Sequence, residues 1–555
     1  MHSDTTSSTP SAALAVDIRR FPWIRRFATD YAFAFDRIAP YFAGNPAQPD
    51  AWAEIIARRH ARRVKGVLPT PSDLARVIGA QQVRREAPAA SRTAAERLAD
   101  PRAVVIITGQ QAGLFGGPMF TLLKALTAMK LAAQVAREHR APVIPVFWID
   151  AEDHDWAEVS SCTVLDAEGG PRKIQLASLD GAGDRPIGRL MLDDQVSGAI
   201  DALESALPDT EFKGSILANI RQAYAPGHTM ADAFGRWIES VLGPHGLVVY
   251  DSSDPAAKPL VSQVFAHELV HPGQTARLAA TSGESLVTAG YHAQVTPHDG
   301  AISLFHLNDG RESMRYAGNS ASIGARETAL AALVAEVERT PEHFSPNVLL
   351  RPIVQDTLFP TICYVAGPNE LAYLGQLREV YGHFDVPMPL MYQRATATIV
   401  DSSTLRFLSK HSLPLEALQR QDESALNQLL QNQLPPEVDD ALNSVSSVVD
   451  ERIAAVATAV AQIDPTLRGT VESTLSKMQH DLRTLRTKVI QAAKRRDDTL
   501  RRQFQRAQAL TFPNGHPQER EIGCVWFANR YGPALVERLL EDLPLDMGHH
   551  WILAI

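Results

Sequence analysis

Cysteine is scarce in this chain. Among 555 residues only Cys162, Cys363 and Cys524 occur, far from one another. That excludes a disulfide framework and a cysteine-based structural zinc site, and it fits a reducing compartment. Long apolar runs are missing too, since no stretch approaches the ~18 consecutive apolar residues of a membrane span. The opening MHSDTTSSTPSAALAVD lacks a basic segment followed by an apolar core, so no signal peptide is read there and residues 1–16 are expected to form a disordered tail. Nor is there a basic surplus: the net charge of −9 argues against a general nucleic-acid binder. These absences predict a cytoplasmic protein that engages neither membrane nor nucleic acid. With 45% hydrophobic and 21% charged residues, the chain can bury one large core with insertions, or several domains.

What is present is a repeated grammar of a short apolar run, a polar turn and a helical pattern. It occurs at Val104–Gln111, Val143–Asp155, Gly246–Pro255 and Thr361–Glu370, and a fifth run, Met388–Arg394, ends in Gln393 and Arg394. Apolar runs alternating with helices indicate parallel strands buried on both faces, hence a doubly wound, mostly parallel α/β sheet. Ligands of such sheets bind beyond the carboxyl ends of the strands, where all five runs place their polar residues. The core is expected in 17–166, 241–287 and 341–435, with connecting insertions at 167–240 and 288–340. A 4-3 apolar rhythm then runs through Val449, Ile453, Val456, Val460 and Ile463, breaks at Asp464–Pro465, and resumes at Val471, Leu475, Met478, Leu482, Leu485, Val489 and Ala492. This predicts an antiparallel coiled-coil hairpin over 436–510, with 511–555 returning to the core. Self-association is the default role of such a seam. The basic run Lys494–Arg506 reads as a solvated helix face or an anion site.

The candidate chemistry sits at the strand ends. In TGQQAGLFGGP, Gly109, Gly113, Gly116 and Gly117 permit tight turns before a helix whose N-terminal amides favour an anion. The spelling is neither a Walker A loop nor G-x-G-x-x-G, so a structural turn and an anion cradle both stand. Gln110 and Gln111 suit the orientation of a polar ligand. DAEDHD gathers Asp150, Glu152, Asp153, His154 and Asp155, a set suited to a divalent cation or to a general base with a histidine partner, the alternative being dipole-favoured acids at a helix start. In SPNVLLRPIVQDTLFPTICYVAGPNELAYLGQL Arg351 is suited to clamp a carboxylate or to pair with Asp356, and Glu370 and Tyr373 open a helix after Gly367–Pro368. His267–His271 spells H-E-x-x-H, but Pro272 biases His271 out of helical geometry and speaks against a zinc protease.

Taken together, TGQQAGLFGGPMFTLLKA, PVFWIDAEDHDWAEV, SPNVLLRPIVQDTLFPTICYVAGPNELAY and PNGHPQER, in this order with a coiled coil before the last, closely resemble the BshC family, the cysteine ligases of bacillithiol biosynthesis. The resemblance covers the chain beyond its first residues. It implies a Rossmann-like core with connecting segments, a dimerising coiled coil, and a reaction joining L-cysteine to glucosaminyl malate through an amide at the glucosamine nitrogen. ATP or another nucleotide is the expected cosubstrate, and no metal is expected. On this reading Gly109, Gly116 and Gly117 cradle phosphate, and Gln111, Asp153 and His154 are catalytic. Gln110, Gly113, Glu152, Asp155, Arg351, Asp356, Glu370, Tyr373 and Arg394 bind substrate. A nucleotidyl transferase or hydrolase on the same core is the alternative.

Overall fold

The structure is a computed structural model that describes residues 13–64, 69–308, 310–432, 436–496 and 498–555. Two units divide it: one contains residues 1–399 and 518–555, the other 400–517.

The first unit is organised on five parallel strands, β1 (Val104–Gln110), β2 (Val143–Ile149), β3 (Val248–Asp251), β4 (Thr361–Ala366) and β5 (Leu390–Gln393), in the order β5-β4-β1-β2-β3. This is the expected doubly wound sheet, and its strand order reverses between β1 and β4. The alternation within β1 shows why these runs are apolar throughout. Val104 and Ile106 pack with Ala128, Leu131 and Val135 of helix α1 (Phe120–His139), while Val105 and Ile107 join the opposite cluster with Trp148 and Tyr364. Both faces are covered, so both must be apolar.

The insertions form structure of their own. Ser161–Leu165 and Pro171–Gln175 make an antiparallel hairpin. Residues 301–346 contribute five antiparallel strands, in which Ala301–Leu307 lies between Arg311–Ala317 and Phe344–Pro346. A fourth sheet corrects the expected tail. Ala13–Asp17 is a strand paired antiparallel with His549–Ala554, because Val16 can bury its side chain there; residues 1–12 lie outside the described set. Gln518 and Glu519 do return the chain to the core. Gln518 exchanges hydrogen bonds with the backbone N–H and carbonyl of Ile399, both at 2.7 Å.

In the second unit, α4 (Pro436–Val460) and α5 (Arg468–Arg496) form the predicted antiparallel hairpin. This unit starts at residue 400, so 400–435, assigned above to the core, belongs here, and so does 511–517. Its seam is also shifted from the expected one. Val449, Ile453, Leu475 and Leu482 are half-buried, but Val456, Met478 and Leu485 are 45%, 38% and 48% exposed. Ala457, Gln479 and Arg486 take the inner positions, and Gln479 donates to Asp450 at 2.7 Å and Arg486 to Asp439 at 2.8 Å. The side chains of 494–496 and residue 497, part of the basic run, lie outside the described residues. Among the described residues no helix is long and apolar enough to cross a membrane.

Candidate active site

The loop after β1 is fixed by packing. A Cβ at Gly109 would stand 2.8 Å from the Trp148 carbonyl, so β1 can approach β2 closely only with glycine there. Gly116 has a φ of 93° and lies against the Trp237 ring, where a Cβ would meet carbon at 2.2 Å. The Tyr224 hydroxyl donates to the Gly113 carbonyl at 3.1 Å and accepts from the Gly116 N–H at 3.2 Å. Gly116 therefore serves the turn and its contact with Trp237, while Gly113 and Gly117 face a small chamber described below.

A cavity of about 490 Å3 opens where the strand order reverses, at the carboxyl ends of β1 and β4. Gly109, Gln110, Gln111, Asp150, Asp153, Arg351, Glu370 and Tyr373 all line it, together with residues that the sequence did not single out, Trp148, Arg311, Asn347 and Tyr364. Arg351 begins helix α2 (Arg351–Leu358) and Tyr373 belongs to α3 (Glu370–Leu374). The Arg351 guanidinium donates to Gln355 Oε1 at 3.1 Å and to the Tyr373 hydroxyl at 3.2 Å, with its Nε 3.7 Å from Asp150. Burial pushes the Asp150 carboxyl above its ordinary value, against the pull of Arg351.

A chain of hydrogen bonds crosses the floor. Lys124, 2% exposed, donates to the Gly109 carbonyl at 2.8 Å and to Gln110 Oε1 at 3.1 Å, and it pairs with Glu370 at 2.7 Å. It is thus a buried member of the site. Burial acts to raise the Glu370 carboxyl, but the Lys124 ammonium outweighs it and holds Glu370 below the ordinary range. Gln110 donates in turn to Gln111 Oε1 at 2.7 Å, and Gln111 to Glu158 at 2.9 Å and Asp153 at 3.3 Å. Arg311 stands 3.5 Å from Asp153 and 3.2 Å from His154 Nδ1. His154 does not line the cavity and reaches it through these two neighbours.

Gln110 and Gln111 also face a second chamber of about 350 Å3, lined by Gly113, Gly117, Thr121, Lys173 and Arg520. Thr121 Oγ1 is buried and has no hydrogen-bond partner among the described residues.

The remaining candidates lie elsewhere, for identifiable reasons. Glu152 turns to the far side of β2, where it pairs with Lys258 in a cavity of about 870 Å3 beyond β3. Asp155 is exposed and caps the turn of helix at Trp156–Val159 by accepting from the Glu158 N–H at 3.2 Å. Glu152 and Asp155 thus part from Asp150 and Asp153, which line the 490 Å3 cavity together. Asp356 does not pair with Arg351. It is fully buried, accepting from the Tyr381 hydroxyl at 2.6 Å and from Gln355 at 3.0 Å. Arg394 is buried in a two-pronged pair with Glu519 at 2.7 and 2.9 Å and lines none of these cavities.

The H-E-x-x-H segment behaves as its proline dictates, the helix ending at Val270 with His271 at φ −119° and ψ 58°. Glu268 points inward, accepting from the Ser303 N–H at 2.7 Å and from the Thr275 hydroxyl. Burial pushes its carboxyl from 4.5 up to about 7. Between these values the native state holds a proton that the unfolded chain has released, so stability falls as pH rises across that window and stays reduced above it. Glu268→Gln is therefore expected to match wild type below pH 4.5 and to exceed it at pH 8 by about 3 kcal/mol. Urea denaturation at both pH values checks this, and equal pH slopes for the two proteins would refute it.

The chain is similar to known proteins along both of its parts. Residues 14–395 match the N-terminal Rossmann-like domain, and residues 397–555 the C-terminal coiled-coil domain, of the bacillithiol biosynthesis protein BshC. The chain is 32% identical over 559 residues to a Salinibacter ruber protein named "Putative cysteine ligase BshC", covering 99% of this chain and 98% of that one. Proteins of the same name from Symbiobacterium thermophilum and Chlorobaculum tepidum are 33% and 31% identical, over 93% and 88% of this chain and 92% and 88% of theirs. With both domains matched and relatives aligned along nearly its whole length, the chain belongs to the BshC family of bacillithiol biosynthesis.

Proposed function

We propose that this ligase joins L-cysteine to glucosaminyl malate, forming an amide at the glucosamine nitrogen and completing bacillithiol. The observation that carries this reading is the meeting of Arg351 and Arg311 with Asp150 and Asp153 in one cavity at the strand-order reversal. A malate carboxylate needs a cation with several donors, and an amine nucleophile needs a carboxylate to take its proton. Arg351 and Arg311 hold the malate carboxylates. Asp153 accepts the proton that leaves the glucosamine nitrogen as the carbon–nitrogen bond forms, and His154 positions it from outside. Gln110 and Gln111 orient the substrates, with Lys124 and Glu370 fixing Gln110 and the wall behind it.

The cysteine carboxylate must carry a leaving group, and ATP or another nucleotide supplies that activation when bound. The second chamber suits its phosphates, because Lys173, Arg520 and the unpartnered Thr121 hydroxyl all border it beside the loop amides. The coiled coil is proposed to form a homodimer, since Val445, Val448, Val456, Met478 and Leu485 leave an apolar stripe exposed on the hairpin. A cytoplasmic location completes the reading.

Incubating the purified protein with glucosaminyl malate, cysteine and either ATP or no nucleotide, followed by mass spectrometry, tests it. Bacillithiol is expected with ATP, and Gln111→Ala should lose most of it. Nucleotide turnover without cysteine and without bacillithiol would instead identify a nucleotidyl transferase or hydrolase.

A further inference from the structure

Behind the wall of the 490 Å3 cavity lies a cluster that the ligase reading leaves unused. His306 Nε2 and His343 Nδ1 each stand 3.0 Å from the same oxygen of Glu336, Oε1. The three ligand atoms lie within 4.8 Å of one another, and among the described residues no other trio of His, Cys, Asp or Glu does so. We propose that His306, Glu336 and His343 form a binding site for a divalent transition-metal ion of the zinc type.

The local fold shows how the trio is assembled. His306 belongs to the strand Ala301–Leu307 and faces Phe344 of the neighbouring strand in register. Glu336 sits near the end of the helix Leu330–Arg339, which closes when the Thr340 N–H donates to the Glu336 carbonyl at 2.8 Å. The turn Pro341–His343 then folds back, bringing the His343 ring over the same carboxylate. His306 is 4% exposed, so one ligand is already desolvated and held in place.

The chemistry matches the geometry. Two imidazoles and a carboxylate are an ordinary ligand set for zinc, and tetrahedral bonds of about 2.0–2.1 Å place ligand atoms about 3.3 Å apart. The two separations from Glu336, 3.0 Å each, are close to that value, and the two histidine nitrogens lie within 4.8 Å of each other. Three protein ligands leave a fourth position for solvent or an exogenous ligand. Phe305, the neighbour of His306 and therefore on the opposite face of the strand, lines the cavity beneath the Arg311 guanidinium at 3.8 Å. The ion would thus fasten strand, helix and turn together on the back of the wall that presents Phe305 and Arg311.

The test is titration of the metal-stripped full chain with Zn2+ alone, followed by equilibrium dialysis and metal analysis, and in parallel with Co2+. About one equivalent of zinc is expected, and Co2+ should give the visible absorption of a low-coordinate site. His343→Ala and Glu336→Gln, each checked for folding by circular dichroism, should weaken binding about tenfold or more. His271→Ala/His383→Ala, which removes two rings 5.6 Å apart that both stand 4.6 Å from the His267 ring, should leave it unchanged. Fewer than about 0.1 equivalents bound by wild type at micromolar free zinc would overturn the site and leave a hydrogen-bonded triad. So would binding that follows His271 and His383 instead.

Discussion

Arg394→Met is expected to destabilise the protein by about 3–5 kcal/mol while leaving ligase chemistry intact in the fraction that folds. Arg394 and Glu519 are 2% and 4% exposed at their side chains, and both carboxylate oxygens are engaged by the guanidinium. Glu519 also accepts from the Ala397 N–H at 3.1 Å. Burial alone would raise the Glu519 carboxyl, but Arg394 reverses this and keeps it ionised, below the usual range. Removing the arginine strands a buried charge, which costs far more than the pair contributes over an apolar replacement. Arg394→Met/Glu519→Leu should therefore recover much of the loss, short of the hydrogen bond to Ala397. Urea denaturation of the single and double variants measures this. An unaltered midpoint together with lost product would restore Arg394 to a substrate-binding role.

Arg351→Ala is expected to act in the opposite way, on the reaction more than on stability. Its guanidinium is the cation nearest Asp150, and its fork is already turned toward the cavity by Gln355 and Tyr373. Losing a charge-assisted, two-pronged contact to a carboxylate costs about 2–4 kcal/mol, roughly 30- to 1000-fold in kcat/KM for glucosaminyl malate. The KM for cysteine should change much less. Arg351→Lys keeps the charge but not the fork and should recover only part of the loss. Steady-state kinetics with each substrate varied in turn decides it, and an unchanged kcat/KM for glucosaminyl malate would exclude Arg351 from that contact.

These two arginines also show what sequence can and cannot reveal. Strands buried on both faces are legible because every position must be apolar, and β1 to β5 were found that way. A polar residue at a strand end is therefore known to reach the sheet edge, but not which way it turns. Arg351 turns into the cavity, whereas Arg394 and Asp356 turn to buried partners. Lys124 carried a readable sign, since it interrupts the apolar row of TLLKALTAM on a helix buried almost all round. Arg311 carried none. It stands 157 residues from His154 in the chain and is delivered by an insertion with no motif of its own. In the coiled coil, apolar spacing located both helices, but the inner seam tolerates Gln479 and Arg486 through hydrogen bonds that spacing cannot register.

The pairing of Ala13–Asp17 with His549–Ala554 has a consequence for biogenesis. Asp17 pairs with His549, so the second strand is made 532 residues after the first. At about 5–20 residues per second, the early strand waits for roughly half a minute to two minutes. The unit that contains it is interrupted by residues 400–517, so its closing sheet cannot form until that separate unit has been synthesised. Throughout this interval an unpaired strand edge is open to mispairing with other nascent chains, and that interval is where chaperone protection would matter most.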